Sequence, residues 1–255
     1  MRRSPLVLAG LGLLAVSCGG GAKPAASPSA SPPAGTAAAP SESATPAATP
    51  SVSVGEVFYA DSFRDTSKGW PTKATENAAY EYHTDYATPL YSVSARKGAV
   101  HLFPHPEFRG VTREQLTDYE VTATIQSNLS VGQGDWFGVT CRDLEGKRYS
   151  FAMGLERIGG STVPWRIGRH DGGKLLVLAE GEHEVGGSAW DVSGACAGGT
   201  GGAATLAMKI NGTLVGTATD ASPLAQGYGG VYLLSEKGRT TINVLAFAAR
   251  AAQAG

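Results

Sequence analysis

Asn211-Gly212 lies between two runs of alternating residues, and this constrains the chain more than any other feature in it. A two-residue type I′ turn needs positive φ at both central positions, which Asn and Gly tolerate best. Leu206, Met208 and Ile210 alternate with Ala207 and Lys209 on the way in, and Thr213 to Asp220 leads out. The pattern predicts a β-hairpin whose incoming arm has one apolar face. A lone hairpin is marginal in water, so a larger sheet must receive it.

The chain holds the strands for that sheet. The clearest alternation is 119–125, with Tyr119, Val121, Ala123 and Ile125 on one side. Further short runs lie at 57–60, 80–82, 90–94, 100–103, 135–141, 149–153, 164–167, 174–178, 231–234 and 241–247. Lys97-Gly98, Glu145-Gly146 and Asp171-Gly172-Gly173 punctuate them as turns. About a dozen short antiparallel strands with turns between them predict an all-β sandwich or jelly roll. Charge narrows the partners. With 21 basic and 22 acidic residues there is no cationic excess to meet nucleic-acid phosphates.

The first 54 residues read differently. Arg2-Arg3 precedes an apolar run, Leu6 to Val16, that is too short to span a bilayer and of signal-peptide size. The run ends in Leu14-Ala15-Val16-Ser17-Cys18, which resembles the lipobox of bacterial lipoproteins. That resemblance implies cleavage before Cys18, a diacylglycerol on its sulfur, and a place on the extracytoplasmic face of the cell membrane. Residues 19–54 are rich in Ala, Ser, Pro, Thr and Gly, with Lys23 and Glu42 the only charges, and are expected to form a disordered linker. Such a linker spans roughly 30 Å as a coil and about 100 Å toward polyproline II. The expected organisation is a signal peptide at 1–17, lipidated Cys18 and linker to 54, a β-sandwich at 55–250, and a flexible tail at 251–255. With Cys18 acylated, Cys141 and Cys196 remain to pair in an oxidising compartment.

Asp61-Ser62-Phe63 followed by Gly69-Trp70 resembles the opening of the concanavalin A-like, laminin-G-like jelly roll. Phe137-Gly138-Val139-Thr140-Cys141-Arg142, Tyr149-Ser150-Phe151, Gly229-Gly230-Val231 and Asn243-Val244 extend the likeness. The Gly-rich run 197–202 departs from it. The resemblance implies a module that binds carbohydrate or an envelope protein on a sheet face or rim, without catalysis and without a cofactor.

Aromatic side chains are the natural sugar platforms, so Trp70, Trp136, Trp165, Trp190 and Tyr228 are the candidate ligand contacts, with Trp190 expected at the surface because of its Gly/Ser/Asp neighbours. Core packing is the competing fate of each. The alternative function is a glycoside hydrolase using Glu180, Glu182 and Glu184, which a strand projects from one face about 7 Å apart. A solvated edge is the plainer expectation for that run, because Gly181 and His183 replace the apolar residues that would anchor its back. A third reading is a purely structural envelope lipoprotein. The five histidines lack metal-ligand spacing, and Asp61 with Asp65 is the one calcium candidate, weighed against ordinary turn capping.

Overall fold

A computed structural model describes residues 52–254, apart from 65–67, 74–77, 86, 113, 128–133 and 157–160. The leader, Cys18, the linker as far as residue 51, and Asp65 lie outside the described residues.

The described residues form β1 (Val52–Asp61), β2 (Tyr80–Asp85), β3 (Leu90–Ala95), β4 (Val100–Leu102), β5 (Tyr119–Ser127), β6 (Trp136–Leu144), β7 (Lys147–Gly154), β8 (Thr162–Asp171), β9 (Lys174–Glu184), β10 (Ala189–Gly198), β11 (Ala204–Ile210), β12 (Thr213–Asp220), β13 (Tyr228–Ser235) and β14 (Thr240–Ala254), with a 3-10 turn at Glu114–Leu116. They make an antiparallel sandwich. One sheet has eight strands in the order β12-β11-β10-β5-β14-β3-β2, with β1 also paired to β14; the other has six in the order β4-β13-β6-β7-β8-β9. The all-β jelly-roll class expected from the alternation is the class the chain adopts.

The core lies between the sheets. Tyr119, Val121, Ala123 and Ile125 of β5 are all fully buried, and Phe137, Val139 and Phe151 of the six-stranded sheet join them in one cluster. The hairpin that anchors the reading forms as expected: Asn211 and Gly212 turn at φ 50° and 78°, and Leu206, Met208 and Ile210 point inward with no exposure.

β10 was not legible as a strand, because Ala, Ser and Gly dominate it. It is nonetheless central, hydrogen-bonded between β5 and β11. Its small residues answer a packing demand: a Cβ on Gly194 would overlap the Phe151 ring from the opposite sheet. The sandwich also extends past the expected limits of 55 and 250. Val52 pairs with Ala254, so backbone hydrogen bonds to β1 carry the alanine-rich end of the chain into the sheet.

Cys141 of β6 and Cys196 of β10 stand at disulfide distance across the two sheets, Cα atoms 6.6 Å apart. Next to them Arg142, 2 % exposed and at φ 52°, donates from its guanidinium to the carbonyl oxygens of Thr117, Gly198 and Leu224. Its backbone N–H donates to the Tyr119 hydroxyl at 2.8 Å. These carbonyl acceptors, with the Asp118 carboxylate 3.2 Å from Nη2, offset the cost of burying the cation.

Candidate functional site

The structure separates the aromatic candidates. Trp190 is 2 % exposed, its indole N–H donating to the Gly186 carbonyl at 2.9 Å and its ring against Phe137. The expectation of a surface Trp190 is therefore corrected: alternation along β10 turns it into the core despite polar neighbours. Trp165 is also buried, filling a slot where Gly181 and Gly216 lack side chains. A ring enclosed on both faces offers none to a ligand, so neither is a ligand contact.

Trp70 is half-buried. It closes the core against Phe63, Tyr91 and Phe247, with ring centroids 5.4, 4.7 and 5.0 Å away. It also lines a cleft of ≈ 400 Å³ with Tyr82, Phe103, His105 and Glu107. Tyr228 is 37 % exposed and stacks on His105, with centroids 4.8 Å apart and planes at 8°. It lines a neighbouring cleft of ≈ 330 Å³ with Phe108, Val111 and Leu116.

Trp136 is half-buried on the outer face of the six-stranded sheet. Strand alternation places a line of residues across that face in register: Tyr232 on β13, Gly138 on β6, Ala152 on β7, Arg166 on β8 and Glu180 on β9. The small residues in the middle of the line leave room for the large ones to lean inward. The Arg166 guanidinium lies 3.9 Å from the Trp136 ring centroid and donates to the Tyr232 hydroxyl at 3.2 Å. A second pair sits beside it. Arg148 lies 3.6 Å from the Phe103 centroid, and Phe103 stacks on Tyr232 at 5.3 Å. Arg148 is held by Asp143 at 3.3 Å. Phe103 belongs both to this face and to the lining of the Trp70 cleft.

The electrostatics follow from two guanidinium groups in a partly dry layer. Burial, then Arg148, His101 and Arg166, push the His170 imidazole down to about 4, and its Nε2 lies 2.9 Å from the Ser150 hydroxyl. Burial and the same two arginines also lower His101. Burial raises the Tyr232 hydroxyl, against the opposing pull of Arg166.

Glu180, Glu182 and Glu184 do share one face, in register with Arg166, Pro164 and Thr162. All three are exposed, and β9 is the edge strand of its sheet. Glu184 accepts a hydrogen bond from Ser161 at 2.8 Å. Asp61 accepts from the Phe63 N–H at 2.7 Å, the turn-capping role. Among the described residues no group of three His, Cys, Asp or Glu is placed to hold a metal ion.

Arg148, Arg166, Phe103 and Tyr232 were not singled out in the sequence. A signal existed for Arg166: in Pro164-Trp165-Arg166-Ile167, period two puts Arg166 on the face opposite Trp165. What the pattern lacked was which of the two faces is the core.

No known protein family matches the chain, and no curated protein matches it in sequence. Among solved structures it is similar to a Bacillus subtilis protein of unknown function with a galectin-like fold, with TM-score 0.51 and 12% identity over 79% of this chain and 99% of that one. A Bacillus licheniformis β-glucanase aligns with TM-score 0.47 and 8% identity, covering 76% of this chain and 97% of the other. The CBM2 module of an evolved Dit protein from Lactobacillus casei BL23 phage J-1 aligns with TM-score 0.46 and 13% identity, covering 77% and 96%. At these identities the likeness is one of fold.

Proposed function

We propose that this chain is a carbohydrate-binding module that acts without catalysis, displayed outside the bacterial cell membrane by a diacylglycerol on Cys18. The observation that carries the reading is the partly exposed Trp136, with the Arg166 guanidinium carbon 3.9 Å from its ring centroid and Arg166 in register with Glu180 on the next strand. A sugar presents apolar C–H faces and a rim of hydroxyls. An indole offers the flat apolar surface, a guanidinium donates in a fixed plane, and a carboxylate accepts.

The hydrolase alternative is weaker on geometry. Its two carboxylates must flank the scissile bond. Glu180, Glu182 and Glu184 stand in single file on one exposed edge and reach a bound sugar from the same side.

Glycan-array screening of the soluble domain, with Trp136→Ala alongside, tests the reading. Binding by the parent that is lost in the variant supports it, and silence across the array rejects it. Cys18→Ala should release the protein from the membrane fraction; retention after a carbonate wash rejects the anchor.

A further inference from the structure

The outer face of the eight-stranded sheet carries a groove of ≈ 410 Å³ that the reading above does not use. Its floor is Ala246 and Ala248 of β14, its wall is Thr122 and Thr124 of β5, and Arg250 and Asp191 also line it. Alternation along β14 turns Ala246, Ala248 and Arg250 outward while Phe247 and Ala249 fill the core. From Ala246 to Arg250 the floor runs about 13 Å, the length of one or two sugar rings.

Arg250 is the unusual member. Its partner in the ladder is Glu120, whose Oε2 is bonded by Lys209 Nζ at 2.8 Å. Among the described residues no carboxylate lies within ion-pair distance of Arg250, and its Nε is buried without a hydrogen-bond partner. A partly dehydrated guanidinium without a counter-ion is unfavourable, and a bound anion would relieve it. The rest of the groove is hydroxyl chemistry. Thr122 bonds Ser193 at 2.9 Å, and Thr124 donates to Asp191 Oδ1 at 2.6 Å. Each hydroxyl keeps acceptor capacity, and so does the second oxygen of Asp191. Asp61 lines the groove too, with Oδ1 turned to the Phe63 N–H. The groove thus places a cation at one end and acceptors at the other.

We propose that this groove binds a carboxylate-bearing saccharide of the uronic-acid class, its carboxylate on Arg250 and its hydroxyls on Thr122, Thr124 and Asp191. Because the cation and the acceptors lie apart, a small anion or a neutral sugar satisfies only half of the site.

The test is calorimetric titration of the mature chain with sodium glucuronate, glucose and sodium acetate. Glucuronate should bind saturably and at least about tenfold tighter than either of the others, the usual scale of one charge-assisted contact. Arg250→Gln should weaken it by about tenfold. Ala248→Phe, which fills the floor and leaves every charge in place, should abolish it. Trp136→Ala should leave it unchanged. The proposal is overturned if glucuronate binds no tighter than acetate, if Ala248→Phe binds normally, or if Trp136→Ala is the variant that loses affinity.

Discussion

Arg166 lies over Trp136, its guanidinium carbon 3.9 Å from the ring centroid, while its Nη2 donates to the Tyr232 hydroxyl. One side chain therefore joins the half-exposed indole to the fully buried tyrosine beneath it. Arg166→Lys keeps the charge but loses the guanidinium over the ring and its fixed donor geometry, which a compact ammonium cannot reproduce. It should reduce glycan affinity by about tenfold while costing only about 1 kcal/mol of stability, read from array titration and urea unfolding on the same sample. Unchanged glycan affinity in a folded Arg166→Lys variant would remove Arg166 from the site.

Trp190 offers the contrasting case. Its ring is enclosed between the sheets and its N–H is satisfied. Trp190→Ala should destabilise by about 3–5 kcal/mol through the cavity it leaves. Trp136→Ala should cost less, because that ring is only partly buried on the outer face. Chemical unfolding of the two variants checks the order; a larger loss at Trp136 would mean the outer-face cluster is structural.

Cys141 and Cys196, 55 residues apart in sequence, join the two sheets. On the chain-entropy account, closing that loop stabilises the fold by about 4 kcal/mol. Mass-spectrometric thiol counting of the unreduced domain should find both sulfurs blocked, and reduction should lower the melting temperature markedly. Two free thiols in the unreduced protein would reject the bond.

His170 makes stability depend on pH. Burial and the neighbouring arginines hold it near 4, against 6.5 for an ordinary imidazole. The unfolded chain therefore binds a proton near pH 6.5 that the folded chain refuses until about pH 4. Its contribution is fully present above pH 6.5 and is lost as pH falls toward 4. Between pH 7 and pH 5 the expected loss is about 2 kcal/mol. His170→Gln keeps a polar partner for the Ser150 hydroxyl and should flatten that slope in urea midpoints. An unchanged slope would show that His170 is not the group responsible.

The alternation at 119–125 and the Asn211-Gly212 turn are local properties, since a two-residue period and a positive-φ turn are set by neighbours in the chain. They were enough for the fold class, for the inward set Tyr119, Val121, Ala123 and Ile125, and for the shared face of Glu180, Glu182 and Glu184. β10 escaped because its small residues are explained by the Phe151 ring of a strand far away in sequence.

By itself, then, the sequence determined that this chain makes antiparallel strands, where many of them turn, and which residues share a side. Where both sides of a strand carry large side chains, only the tertiary structure decided which side is the core. Trp165 and Trp190 went inside, while Trp136 stayed at the surface under Arg166. It also brought Arg148 to Phe103 and left Arg250 without the carboxylate that its place in the ladder provides. The physical reason is that a strand's period names two faces, and composition ranks them only where one face is plainly apolar. The ranking comes from the opposite sheet, and from which strands the chain sets side by side.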